Sequence, residues 1–331
     1  MTRFALFGAG RIGAMHAANI AANPRARLHC LYDVHKPTAE KVAGAHGAKV
    51  APSIEAALSE ADAVMIASST DTHVALITAA AKAGKPILCE KPIDLDIERV
   101  EKCRREIAGL GVPVQIGFNR RYDPTHLAVR DAVRRGEIGT LELLIITSRD
   151  PSLASLEYMK VSGGIFRDMT IHDFDLARFI LGEEPVEIFA TGSVKVEPAL
   201  AALNDVDTAM VVMRAESGAL VHINNSRRAV YGYDQRVEAF GSKGMVQSEN
   251  HRATTVRRTG AERTDAADPL LNFFIERYAR AYVDELNEFI DVVEKKQAPA
   301  VGFEDGRRAL IIADAAWEST RTGKAVKIRY D

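Results

Sequence analysis

Residues Gly8-Ala9-Gly10-Arg11-Ile12-Gly13 follow directly on the apolar run Phe4-Ala5-Leu6-Phe7, and their glycines are spaced G-x-G-x-x-G. That spacing leaves the start of the chain few options. A short apolar run ended by glycine reads as a buried parallel strand. The alanine-rich stretch 14–21, stopped by Asn23-Pro24, reads as a helix. A second strand over 27–32 then ends at Asp33, 20 positions beyond Gly13. Strand, glycine loop, helix, strand and acid in this order predict the first half of a dinucleotide-binding βαβ unit.

Each part has a physical task. Gly8 permits the tight turn, Gly10 lets the backbone approach a pyrophosphate, and Gly13 lets the helix pack closely on the strand. Arg11 and Ile12 complete the loop and count with its cofactor contacts. The helix N-terminus offers unpaired N–H groups and partial positive charge to phosphate. Asp33 is placed to accept hydrogen bonds from ribose hydroxyls and to repel a 2′-phosphate, so the expected cofactor is NAD. His35 and Lys36, just beyond it, keep NADP open.

The rhythm of the chain then divides it. Up to about residue 120, apolar runs at 63–67, 87–89 and 114–117 alternate with helical stretches near 37–46, 53–60, 72–83 and 96–109. That alternation predicts a doubly wound parallel sheet. Beyond Tyr122 a helix near 124–136 leads into alternating strands at 141–147, 186–196, 207–213, 219–224, 236–240 and 244–247. Glu216-Ser217-Gly218 and Ser242-Lys243-Gly244 read as hairpin turns. Helices near 165–181, 272–294 and 304–322 and a last strand at 325–328 complete the pattern. The expected fold is α/β. Residues 1–121 form a dinucleotide-binding Rossmann domain, and residues 122–331 an α+β domain for substrate binding and oligomerisation, with a large, mainly antiparallel open sheet. No Pro/Gly linker separates them, so rigid packing around a cleft is expected.

Charge and composition exclude several classes. The formal net charge is −2 with lysine and arginine dispersed, which leaves no electrostatic footprint for nucleic acid. No apolar run approaches the roughly 20 residues of a membrane span, and the N-terminal apolar run is too short for a signal-peptide core. Three cysteines, Cys30, Cys89 and Cys103, fit a reducing cytoplasm better than a disulfide scaffold.

Candidate chemistry sits at strand ends, where doubly wound sheets bind ligands. Cys89-Glu90-Lys91-Pro92 ends one strand, and Pro92 biases Lys91 towards an extended backbone that aims its ammonium group. Such a lysine can stabilise an alkoxide on its way to a ketone; the bland alternative is a solvated lysine. Ser68, Thr70 and His73 end another strand and are expected to line the cofactor, with Glu90 beside them. In the second half, Asp168, His172 and Asp175 are spaced i, i+4, i+7 on one helical stripe. A histidine between two carboxylates suits a general base. A metal site is the rival reading, against which stands the lack of a second His/Cys cluster nearby.

Taken together, GAGRIG, CEKP, GFNRRYDP and GGIFRDMTIHDFD resemble the Gfo/Idh/MocA oxidoreductases over essentially the whole chain. The resemblance implies that Lys91, Asp168 and His172 are catalytic, and that Arg121, Asp175 and Tyr231 contact substrate with them. Arg120 and Tyr233 compete for two of those roles. It further implies NAD-dependent oxidation of a polyol, myo-inositol, to the 2-keto product, by a homodimer or homotetramer built through the C-terminal sheet. Rival expectations are a dehydrogenase of scyllo-inositol or another sugar, linked to NAD or NADP, and a non-catalytic NAD sensor.

Overall fold

The apolar run after Met1 is strand β1 (Thr2–Phe7), the centre of a six-stranded sheet. Its partners are β2 (Ala26–Tyr32), β3 (Lys49–Val50), β4 (Ala63–Ile66), β5 (Ile87–Glu90) and β6 (Val114–Gly117), in the order β3-β2-β1-β4-β5-β6. Every neighbouring pair is parallel. Helices α1 (Arg11–Ala22), α2 (Lys36–Ala45), α3 (Ile54–Glu60), α4 (His73–Lys82) and α5 (Ile97–Ile107) make the crossovers. The strand order reverses between β1 and β4, which opens a crevice at their carboxyl ends. Strand β3 escapes the sequence reading because two exposed residues carry no pattern.

The computed structural model describes residues 1–331 in two compact units, Met1–Asn119 with Ala281–Leu310, and Arg120–Arg280 with Ile311–Asp331. The second unit holds helix α6 (Pro124–Arg134), the short α7 (Leu156–Met159) and α8 (Ile171–Leu181). Its strands are β7 (Leu141–Arg149), β8 (Pro185–Ser193), β9 (Thr208–Ala215), β10 (Leu220–Ser226), β11 (Asp234–Gly241) and β12 (Gly244–Ser248). A small hairpin follows, β13 (Arg257–Arg258) with β14 (Ala266–Ala267), and Val326–Lys327 forms β15. The large sheet runs β12-β11-β7-β10-β9-β8-β15 and is antiparallel except at β7–β10. Both expected hairpin turns are present, at the β9–β10 and β11–β12 connections.

One face of this sheet buries Leu144, Ile146, Val211, Val221, Ile223 and Val237 against Phe166, Phe174 and Ile180. The period-2 pattern of a sheet sends the alternate residues outward. On that outer face Leu143, Phe189, Met210, Val212, Leu220, Phe240 and Met245 are each at least 40% exposed. They are contiguous, since Leu143 pairs with both Leu220 and Phe240, and Val212 pairs with Phe189.

Three further helices follow, α9 (Phe274–Arg277), α10 (Ala279–Lys295) and α11 (Phe303–Thr322). The expected single helix over 272–294 is broken at Tyr278, whose buried ring stacks under the Arg277 and Arg120 guanidinium groups. The expected division at 121/122 also needs correction. From Ala281 to Leu310 the chain returns to the first unit, where Leu286, Phe289, Ile290 and Val292 join Phe4, Leu6, Ile20 and Met65 in one core. A parallel sheet must be covered on both faces, and this chain takes part of that cover from near its C-terminus.

Candidate active site

In the first unit the glycine loop is built as its spacing requires. Gly8 has φ +99°, and a Cβ there would lie 2.5 Å from the Ala67 carbonyl oxygen at the end of β4. A Cβ on Gly13 would collide with the Gly8 carbonyl. Gly10 differs, for nothing lies within 4 Å of its Cβ position. It caps α1, which has no side-chain cap and no acid in its first turn. The orphan N–H groups and positive end of that helix therefore face open space, as a pyrophosphate would need.

Asp33 does more than wait for a ribose. Its Oδ2 accepts the Ala9 N–H and its Oδ1 the His35 N–H, both at 2.7 Å, so it also ties the loop to the end of β2. Each oxygen keeps a second lone pair for a hydroxyl. These features fit a dinucleotide. Ser68 Oγ lies 2.7 Å from Thr72 Oγ1, and Thr70 opens the tight turn between them and α4. His73 acts as a strut within the unit. Its buried ring bridges the carbonyls of Pro92 (2.8 Å) and Ser68 (3.1 Å), and burial lowers its pKa. Glu90 lies 2.7 Å from Nε2 of the buried His16 of α1. Lys91 is half-buried next to it, joined to Pro92 by a cis peptide.

In the second unit the chain around Asp168 departs from the expected stripe. Phe166–Thr170 is a π turn that runs into α8, so the i, i+4, i+7 arithmetic of an α-helix does not hold across it. Asp168 accepts from Tyr158 Oη (2.7 Å) and Arg227 Nη1 (3.0 Å). His172, half-buried, is the second residue of α8, two positions after the turn ends. Asp175 leaves this group. It is 1% exposed and takes Arg121 through Nε (2.8 Å) and Nη2 (2.5 Å), with Arg178 3.5 Å away. Arg121 and Asp175, both expected at substrate, thus hold each other.

Arg120, the competitor of Arg121, is buried on Asp173 (2.5 Å) and Ser148 (3.2 Å). Tyr231 donates to Asp234 Oδ2 (2.7 Å) and accepts from Arg149 (2.9 Å), lining a separate polar cleft of about 630 Å³ with Arg236, Arg252 and Asp268. Tyr233 is buried instead, edge-on to Tyr278 at 6.1 Å.

Sequence reasoning missed Tyr158, Arg227 and Asp150. Burial pushes the Asp150 carboxyl up to about 6; Asp168 raises it further, while Arg227 and Arg120 oppose. An Asp-Pro at a strand end looks like any turn, and nothing local in Arg227 or Tyr158 points to Asp168, 59 and 10 residues away.

Residues 2–118 match the model of an oxidoreductase family with an NAD-binding Rossmann fold, and residues 126–247 that of the GFO/IDH/MocA C-terminal domain. The inositol 2-dehydrogenase of Rhizobium meliloti (strain 1021) is 48% identical over 98% of this chain and 99% of its own length. The myo-inositol 2-dehydrogenase of Thermotoga maritima is 46% identical over 98% of both. Among solved structures, scyllo-inositol dehydrogenase from Lactobacillus casei with bound NAD(H) and scyllo-inositol has a TM-score of 0.92 at 29% identity, covering 99% of both chains.

Proposed function

The chain belongs to the Gfo/Idh/MocA oxidoreductase family, and on that premise we propose that it is an inositol 2-dehydrogenase, oxidising myo-inositol to 2-keto-myo-inositol (scyllo-inosose). Full-length similarity to inositol 2-dehydrogenases carries the reading. Lys91, Asp168 and His172 are all present, and a pure NAD sensor has no need of the three together.

NAD, when bound, supplies the acceptor for the hydride that leaves the substrate carbon. The protein does the rest. His172 takes the proton of the reacting hydroxyl, a task suited to an imidazole near neutral pH. Lys91 hydrogen-bonds the same oxygen and stabilises the negative charge that develops on it. Asp168, fixed by Tyr158 and Arg227, accepts a neighbouring hydroxyl or orients His172. Asp150 adds a further acceptor for the polyol rim. Arg121 and Asp175 position α8 by their ion pair. Donors and acceptors each matched to a substrate hydroxyl reject analogues that lack one, because their own groups would go unpaired.

We place the enzyme in the cytoplasm, in line with its three free, buried thiols and with the lack of any helix long and apolar enough to cross a membrane. It acts there in polyol breakdown as a homo-oligomer, a dimer or tetramer. The apolar outer face of the large sheet supports that assembly, since exposed apolar patches of this kind mark interfaces.

A panel of myo-, scyllo- and chiro-inositol, glucose and xylose, assayed for NADH formation, tests the substrate. The highest kcat/KM is expected for myo-inositol; a higher value for scyllo-inositol or a sugar overturns that choice. His172→Ala should lower kcat by about 10²–10⁴ with NAD affinity unchanged, and near-normal turnover would remove His172 from the mechanism.

A further inference from the structure

The backbone makes its one π turn at Phe166–Thr170, with Asp168 at its centre and His172 two residues beyond its end. Such a turn widens the hydrogen-bonded ring and shifts the residues before it against the helix that follows. It persists only where something outside the helix holds it. Here a buried chain of side-chain bonds does so. Thr170 Oγ1 lies 2.7 Å from Oδ1 of Asn225, on β10, and 3.3 Å from the Ile165 carbonyl oxygen. A hydroxyl has one proton, and the shorter contact takes it. Asn225 Nδ2 donates to Asp173 Oδ2 (2.8 Å) and to the Ser148 carbonyl (3.2 Å). Asp173 Oδ1 takes Arg120. Thr170 and Asp173 flank His172 closely in sequence, and with Asn225 they are all buried.

We propose that Thr170 and Asn225 are positioning residues, which clamp the π turn onto strand β10 and so set the directions in which Asp168 and His172 project. The proposal rests on the roles given to Asp168 and His172 above. Strand β10 lies mid-sheet, paired along its whole length with β7 and β9, and offers a rigid anchor. Without the hydroxyl, Asn225 Oδ1 loses its partner and the turn is free to relax to α-helical register. One residue regained corresponds to a rotation of about 100°, which would turn Asp168, inside the turn, away from Tyr158 and Arg227.

The test compares Thr170→Val, which keeps the shape and drops the hydroxyl, with Thr170→Ser and His172→Ala. Readouts are kcat, KM for myo-inositol, the pH profile of kcat, NAD affinity and melting temperature. Thr170→Val is expected to lower kcat by about 10–100-fold, the scale of a small misplacement of catalytic groups. It should shift the pH profile while NAD affinity stays at the wild-type value, and Thr170→Ser should restore kcat. Asn225→Ser, a second way to cut the clamp, should reproduce the loss if the valine variant folds poorly. Wild-type kcat in both Thr170→Val and Asn225→Ser overturns the proposal, as does failure of Thr170→Ser to rescue. Wild-type turnover in His172→Ala overturns instead the reading of the site on which it stands.

Discussion

Glu285, on α10, has a fully buried carboxyl group whose two oxygens have no hydrogen-bond partner. Burial pushes its pKa well above the usual carboxylate range, and Glu90 and Glu288 push it the same way. Folding therefore favours the neutral form of Glu285, whereas the unfolded chain ionises it at an ordinary value. For an acid raised in this way, the contribution to stability is complete below the unfolded pKa and is lost as pH rises through the folded one. Glu285→Gln keeps the shape and removes the titration. Melting curves across pH should show the wild type losing stability relative to the variant as pH rises above the ordinary glutamate range, and the two converging in acid. Parallel curves would mean that Glu285 does not set the pH dependence. At this scale the glycine loop was legible, since Gly8, Gly13 and Asp33 carry a local signature, whereas the helical spacing read for Asp168 and His172 is interrupted by the π turn. The Arg121–Asp175 pair was not, because 54 residues separate its partners and either one alone looks like a binding residue.

Elements show the same division. The strand–loop–helix start of the chain could be read because a six-residue motif encodes it, and its glycines make separable predictions. Gly13→Ala drives a methyl into the Gly8 carbonyl, so α1 must move. Both melting temperature and NAD affinity should fall. At Gly10 a methyl meets no protein atom, and φ of −65° suits any residue. Gly10→Ala should therefore melt like the wild type and still bind NAD about tenfold or more weakly, because the methyl occupies room left for the pyrophosphate. Equal NAD affinity in that variant would place the phosphates elsewhere. What hydrophobic periodicity could not reveal is a change of helix type within one apolar stretch. The π turn and the break at Tyr278 both coincide with side-chain contacts to residues distant in sequence, Thr170 to Asn225 and Arg120 to the Tyr278 ring, which no local pattern announces.

For the molecule as a whole, the two sheets were foreseeable from alternation and from βαβ rhythm, and so was the mainly antiparallel character of the second. The outer apolar face of that second sheet is the feature that assembly should use. Met210→Arg plants a charge within that face without touching the core side of β9. Light scattering should report a smaller particle than the wild type; an unchanged mass would move the interface elsewhere. The division of the chain into units was harder to read, since sequence order suggests one cut and the first unit in fact reclaims residues 281–310.

That reclaimed segment sets a timetable for synthesis. All six strands of the first sheet have left the ribosome once Gly117 emerges, yet Leu286, Phe289 and Ile290 follow about 170 residues later. At roughly 5–20 residues per second the delay is on the order of ten to thirty seconds. Throughout it the nascent N-terminal half covers Phe4 and its apolar neighbours with its own helices α1 and α2 alone, and lacks the share of the cover that α10 supplies. It leaves the tunnel first and finishes last, and a chain cut short before Ala281 would strand it as an aggregation-prone client of chaperones.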